Sequence, residues 1–115
     1  MRNLCDVYTE YKKYYNRELP EFKRKEIVRF LIRLLDEKKA FYVTVSEPDF
    51  DDAEEFITDM PKREIKSLSG MSYRDAVDYI EKKGYCVVEE DFLFEIDFID
   101  ESISMRKELP VTIVI

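Results

Sequence analysis

Three residues, Asp49, Glu64 and Lys66, have the types and spacing from which a metal-dependent hydrolytic site could be built. Carboxylate oxygens are ligands that Mg²⁺ accepts in proteins, and a bound ion can generate the attacking water-derived nucleophile. A lysine beside the ion could position or activate that water. Such a site requires both carboxylates to lie within a few ångströms of a common ion.

Written out, Pro48-Asp49 followed by Glu64-Ile65-Lys66 resembles the P-D…E-x-K signature of metal-dependent nucleases. The resemblance covers five residues. It implies that Asp49 and Glu64 hold Mg²⁺ from adjacent strands of one hairpin, with Lys66 at the water. A small Mg²⁺-dependent nuclease is therefore an alternative function.

The rest of the composition argues against most other catalytic sites. The chain contains no histidine, so no Ser–His or Cys–His nucleophile pair can form within it. Its two glycines, Gly70 and Gly84, cannot supply a dinucleotide-binding fingerprint or a P-loop. Its two cysteines, Cys5 and Cys86, cannot close a zinc site, and in a reducing compartment we expect free thiols. We therefore predict no cofactor, no metal and no enzymatic activity.

Negative charge is concentrated in the second part of the chain. Residues 1–39 hold eleven Lys/Arg and seven Asp/Glu, residues 40–115 hold eight and nineteen, and the whole chain carries −7. A surface rich in these acidic residues can simply keep a small protein soluble. Alternatively, it can speed docking to a basic partner and disfavour binding of other proteins. The residues that we predict to bind such a partner are Asp49, Asp51, Asp52, Glu54, Glu55, Glu89, Glu90, Asp91, Glu95 and Asp97.

The leading hypothesis from this charge pattern is a stoichiometric inhibitor or immunity-type protein of phage or bacterial conflict, anti-CRISPR-like in style. Spaced carboxylates could mimic nucleic acid by occupying the phosphate track of a basic nucleic-acid-processing enzyme. Direct nucleic-acid binding is not expected, because the helix predicted over Tyr73–Lys83 carries Asp75, Asp78 and Glu81. On the second predicted helix, Lys25, Arg29 and Arg33 recur every four residues, and we expect nearby acids to neutralise them.

A stripe of tyrosines on the first predicted helix supports a third hypothesis. Tyrosine is enriched at the energetically important positions of interfaces, so this face could join a homodimer or larger homo-oligomer. The same pattern also fits a helix packed on the core with its hydroxyls at the rim. The tyrosines are Tyr8, Tyr11, Tyr14 and Tyr15.

The elements that must position these residues follow from hydrophobic periodicity. Helices are predicted over 4–15, from Pro20 through Leu35, and over 49–59 and 72–84. Strands are predicted over 40–46, 62–68, 85–88, 92–100 and 111–115, with a turn at 89–91. Residues 102–109 could form either a further hairpin arm or a connection. The order predicts one α+β domain over 1–115. Within it, residues 1–39 form a basic pair of helices and residues 40–115 form an acidic α/β portion. We expect about four helices on one face of a mostly antiparallel sheet of three to five strands.

No apolar run approaches the ~20 residues that span a bilayer, and the first residues do not resemble a signal peptide. We therefore expect a cytoplasmic protein that does not contact the membrane.

Overall fold

A sheet and five α-helices make up the described parts of the chain in the computed structural model, which cover residues 3–12, 19–46, 53–98, 100–101 and 112–114. The helices are α1 (Leu4–Lys12), α2 (Glu21–Asp36), α3 (Lys62–Ile65), α4 (Tyr73–Lys82) and α5 (Glu90–Glu95). The strands are β1 (Phe41–Ser46), β2 (Ala53–Thr58), β3 (Val87–Glu89) and β4 (Thr112–Val114). A turn of 3-10 helix, Lys66–Leu68, follows α3.

The four strands form one sheet in the order β3-β2-β1-β4. β1 and β2 are antiparallel from the pair Phe41–Thr58 to the pair Ser46–Ala53. β3 is antiparallel to β2, and β4 lies parallel to β1 on its other side. The predicted α+β fold with a mostly antiparallel sheet of three to five strands is therefore confirmed.

Helices cover both faces of the sheet, which corrects the prediction that they lie on one face. Tyr42 and Ile57 belong to a buried cluster with side chains of α1, α2 and α5. Val43 and Phe56 belong to a second buried cluster with side chains of α3 and α4. Successive residues of a strand point to opposite faces, and β1 and β2 are apolar on both, so each face must be shielded from water.

The predicted helix starts in the first part of the chain are confirmed. Asn3 caps α1, because its Oδ1 accepts a hydrogen bond from the Asp6 N–H at 2.9 Å. Pro20 precedes α2, and its carbonyl accepts hydrogen bonds from the N–H groups of the first turn. Residues 13–15 of the first predicted helix lie outside the described residues.

The helix predicted over 72–84 is also confirmed, as α4. The Ser72 Oγ accepts a hydrogen bond from the Asp75 N–H at 3.2 Å and so caps the start of the helix. Gly84 follows the helix with φ +88°, a conformation that glycine adopts without steric penalty. The predicted strands over 40–46, 85–88 and 111–115 correspond to β1, β3 and β4.

The helix predicted over 49–59 is wrong, because residues 53–58 form β2. The spacing of Phe50, Ala53, Ile57 and Met60 suits a helix, but Phe56 and Ile57 are both fully buried on opposite faces of the sheet. The central strand β1 needs hydrogen-bonded neighbours, and pairing along all six residues of β2 supplies one.

The strand predicted over 92–100 is wrong as well, because α5 begins at Glu90. The alternation of phenylalanines suggested a strand, but Phe92, Leu93 and Ile96 are the buried side chains and Phe94 is exposed. Burial at positions i, i+1 and i+4 is the pattern of a helix. The turn predicted at 89–91 is wrong for the same reason, since Glu89 ends β3 and Glu90 starts α5.

The edge strand predicted over 62–68 is wrong, because α3 and the 3-10 turn occupy these residues. Pro61 suits a helix start, and Ile65 and Leu68 are buried one helical turn apart. Residues 102–109 lie outside the described part of the chain. No helix within the described ranges combines the length and the apolar character that crossing a membrane requires.

Candidate functional site

Five carboxylates gather at one end of the sheet, where β2 begins and β3 ends. Phe56 of β2 lies opposite Glu89 of β3. Because the two strands are antiparallel, the acids that precede Phe56 lie beside those that follow Glu89. Two acidic stretches of the sequence, 54–55 and 89–91, therefore form one surface. We call it the acidic edge: Glu54, Glu55, Glu89, Glu90 and Asp91.

The carboxylates of the acidic edge interact with one another. Desolvation by burial, and then the negative charges of Glu55 and Glu54, raise the pKa of the Glu90 carboxyl above its usual value. The backbone N–H of Glu55 donates a hydrogen bond to Glu90, which lowers this pKa in part. Repulsion between carboxylates therefore operates across the boundary between β2 and α5.

Two tyrosines lie against the acidic edge, one under each face of the sheet. The buried Tyr42 donates its hydroxyl hydrogen bond to the Glu55 carboxylate. Desolvation raises the pKa of the Tyr73 hydroxyl, and the charges of Glu89 and Glu54 raise it further. The Tyr42 hydroxyl thus orients the Glu55 carboxylate, whereas Glu54, Glu89 and Asp91 are exposed.

No lysine or arginine within the described ranges forms an ion pair with a carboxylate of the acidic edge. Four described acids elsewhere, Glu21, Glu37, Asp97 and Glu101, do form ion pairs. The Arg24 guanidinium lies 2.9 Å from Glu101 and 3.6 Å from Asp97, and Lys25 lies 3.3 Å from Glu21. Described cations therefore offset the negative charge at those positions, and none of them is paired with a carboxylate of the acidic edge.

A cleft of about 440 Å³ opens beside the acidic edge, between α1, the end of α4 and the start of α5. The Lys12 Nζ lies 4.5 Å from the centre of the Tyr8 ring, which in turn contacts the Phe92 ring at 5.1 Å between centroids. Both rings are buried, so the accessible groups that suit a basic side chain are the carboxylates of the cleft wall. The cleft is lined by Tyr8, Lys12, Glu81, Val87, Glu89, Asp91 and Phe92.

The fold thus brings together five of the ten residues that we predicted to bind a partner. Glu95 ends α5 and is half-buried. Asp97 follows α5 with φ +53° and lies 3.6 Å from the Arg24 guanidinium. Three predicted residues lie outside the described part of the chain: Asp49, Asp51 and Asp52.

The residues of the nuclease alternative do not have the predicted local structure. Glu64 lies in α3 and Lys66 in the 3-10 turn, not on a strand. Two residues apart on an α-helix, side chains diverge by roughly 200°, so Glu64 and Lys66 are not directed at one point. Asp49 lies outside the described residues. Among the residues described, no three or more His, Cys, Asp or Glu side chains are arranged to hold a metal ion.

The two described tyrosines of the oligomer alternative lie inside the protein. Tyr8 and Tyr11 are 8% and 2% exposed, in the cluster between α1, α2 and the sheet. The Tyr11 hydroxyl donates a hydrogen bond to Glu26 at 3.0 Å. Their rings therefore offer no surface to a second copy, and Tyr14 and Tyr15 lie outside the described residues.

A groove of about 450 Å³ between α1 and α2 is the basic counterpart of the acidic edge. Arg29, Phe30 and Arg33 line it, and the Arg33 guanidinium lies 5.7 Å from the centre of the Phe30 ring. The molecule therefore presents cations on α2 and anions at the end of β2 and β3.

Some residues of this site carry no signal in the sequence. Lys12, Tyr73 and Glu81 come from α1 and α4 and reach the acidic edge only through long-range packing. Models of known protein families, curated proteins and solved structures were compared with this chain, and none matches. Function must therefore be argued from the chain's own residues.

Proposed function

We propose that this protein is a stoichiometric inhibitor or immunity-type protein that blocks a basic enzyme acting on nucleic acid. The acidic edge docks on the surface that the enzyme uses for phosphates. The observation that carries the proposal is the convergence of five carboxylates from two strands and a helix, none of them in an ion pair with a described lysine or arginine.

The unbalanced charge supports binding over simple solvation. Like charges that lie close together destabilise a fold, and Glu54 and Glu55 both act on Glu90 in this way. A solvated surface is stable when charges of both signs are interspersed, as they are around Arg24. A partner that brings arginines or lysines to the acidic edge offsets this repulsion when it binds. The repulsion that destabilises the free folded protein therefore favours formation of the complex.

The cleft supplies a place for one basic side chain of the enzyme. An arginine can enter this cleft with its guanidinium against Glu89 and Asp91, which are both exposed. Buried arginines of this kind dominate the energy of many interfaces. The remaining carboxylates act over longer range and raise the association rate.

This mode of action has consequences for where and how the protein works. A target enzyme that processes nucleic acid in a bacterial cell is met in the cytoplasm, and the inhibitor needs no cofactor. Because it competes for the phosphate-binding surface, it binds the enzyme and not the nucleic acid. Excess duplex should therefore displace it.

The test is capture of the target by the immobilised full chain from a bacterial lysate at about 50 mM and about 200 mM salt. The double variant Glu54→Lys, Glu89→Lys should lose the target, with affinity lower by about 100-fold, the equivalent of about 2.7 kcal/mol. A matched control, Asp78→Lys with Asp100→Lys, makes the same change of net charge at two exposed acids outside the acidic edge and should retain it.

The captured enzyme is then purified and assayed. We expect its activity on nucleic acid to be abolished at a one-to-one ratio and restored by excess duplex. The proposal is contradicted if the amount of captured enzyme does not depend on the salt concentration. It is also contradicted if both double variants lose the enzyme equally. Full enzyme activity in the saturated complex also contradicts it.

A further inference from the structure

The only two cysteines of the chain, 81 positions apart in sequence, lie side by side in the fold. Cys5 belongs to the first turn of α1, and Cys86 directly precedes β3. Their thiols are close enough to share a side-chain hydrogen bond, and both are half-buried. Cys86 also packs against the buried cluster that contains Leu4 and Val7 of α1.

The backbone on each side of this contact is held in place. The Cys86 N–H donates a hydrogen bond to the Asp59 carboxylate at 2.8 Å, which ties the start of β3 to the end of β2. Reciprocal hydrogen bonds between Asn3 and Asp6 close the first turn of α1 around Cys5. The two thiols therefore meet between fixed elements and not through a flexible terminus.

We propose that Cys5 and Cys86 are a redox-modification site, at which a low-molecular-weight disulfide such as oxidised glutathione converts the pair into an intramolecular disulfide. This inference is independent of the proposed function. It adds to the sequence prediction, since free thiols remain the reduced state and the disulfide is the state that oxidising conditions produce.

The reaction is two successive thiol–disulfide exchanges. The thiolate of one cysteine attacks one sulfur of oxidised glutathione, that S–S bond breaks, and one glutathione leaves. The thiolate of the other cysteine then attacks the protein sulfur of the mixed disulfide, and the second glutathione leaves. The two cysteines are oxidised, glutathione disulfide is reduced to two thiols, and the two cysteine protons end on those thiols.

Burial slows this reaction at neutral pH. Desolvation raises the pKa of both thiols. The nearby Asp59 charge acts in the same direction on both. Since the thiolate is the nucleophile, the rate should rise steadily as pH increases from 7 to 9.

The disulfide would connect two walls of the cleft beside the acidic edge. α1 carries Tyr8 and Lys12, and β3 carries Val87 and Glu89. A covalent link between residues 5 and 86 closes most of the chain into one loop and restricts the unfolded state strongly. For a domain of this size we expect the Tm to rise by roughly 10 °C.

The test uses the full chain in glutathione buffers of increasing oxidised fraction at pH 8. Free thiols are then alkylated and the intact mass is measured. We expect a monomer that has lost two hydrogen atoms and accepts no alkylating group, with the higher Tm reversed by dithiothreitol. The variants Cys5→Ser and Cys86→Ser should each stop at a mixed disulfide with one glutathione and show no comparable rise in Tm.

Three results would overturn the inference: a wild-type chain that ends as mixed glutathione disulfides, as disulfide-linked dimers, or as an alkylated dithiol at the most oxidising ratio. The wild-type measurement decides the matter alone if a serine variant fails to fold. This experiment does not involve an enzyme target, so its result is independent of the inhibitor proposal.

Discussion

Replacing Glu90 by glutamine should stabilise this protein at neutral pH. The Glu90 pKa is raised from its ordinary value of 4.5 by burial and by the charges of Glu55 and Glu54. A folded state with a raised carboxyl pKa binds its proton more tightly than the unfolded chain, so stability is lost as pH rises through the folded pKa. Ionised Glu90 is therefore destabilising at pH 7.

The size of the effect follows from the neighbours. Glu54 and Glu55 both act on Glu90, and an interaction between two partly exposed charges is worth roughly 0.2–1 kcal/mol. Glutamine keeps the carbonyl oxygen that accepts the hydrogen bond from the Glu55 N–H, so little is lost in exchange. We expect the free energy of unfolding to increase by about 1 kcal/mol, which is roughly 3–6 °C in Tm.

The assay is urea unfolding of wild type and Glu90→Gln at pH 7 and at pH 3. At pH 7 the free energy of unfolding should be larger for Glu90→Gln than for wild type, and this difference should diminish with added salt. It should vanish at pH 3, where residue 90 is uncharged in both proteins. Glu101→Gln is the matched control, because Glu101 lies 2.9 Å from Arg24 and both side chains are about one-fifth exposed. That variant should lose about 1 kcal/mol at pH 7. A neutral or destabilising Glu90→Gln at pH 7 would refute the inferred repulsion.

Three further predictions concern the elements that carry the site. Phe56→Ala should lower the free energy of unfolding by about 3–5 kcal/mol in urea, because Phe56 is fully buried and meets the Tyr73 ring at 5.9 Å; Phe94→Ala, at an exposed position, should change it by less than about 0.5 kcal/mol. Ser72→Ala should lower it by about 1 kcal/mol through loss of the α4 cap, and equal stabilities would contradict the capping role. Lys38→Gly should raise the Tm, because Lys38 has φ +59° after α2 and relief of this conformation is worth about 0.5–1 kcal/mol; Lys38→Ala should give no such gain.

The elements with local signals could be predicted from the sequence. Pro20 marks the start of α2, Ser72 caps α4, and the aromatic and β-branched run at 41–45 forms β1. Each signal acts within a few residues of the chain, so no knowledge of distant partners is needed.

The elements that were missed depend on distant contacts or on a weaker local pattern. β2 exists because β1 requires a neighbour, although its own apolar spacing suits a helix equally well. In α5, the alternating phenylalanines concealed the helical face formed by Phe92, Leu93 and Ile96. Helices cover both faces of the sheet because β1 and β2 carry apolar side chains on both.

The candidate site was visible in the sequence only as composition. The acidic stretches around residues 54 and 89 could be identified, but their meeting depends on the β2–β3 register. Likewise, nothing local indicates that Arg24 lies beside Asp97, 73 positions away, while no described lysine or arginine pairs with Glu89. The contact between Cys5 and Cys86 has the same origin, since packing of α1 against the sheet brings them together.

Chemical-shift mapping by NMR, with a short arginine-rich peptide titrated into the full chain, tests the docking role of the acidic edge most directly. We predict that the largest perturbations fall on the amides of residues 54–55 and 87–91 and near Lys12, and that the variant Glu54→Lys, Glu89→Lys abolishes them. Equal perturbations at scattered acids such as Asp78 and Asp100 would contradict the account, since the peptide would then sense only net charge.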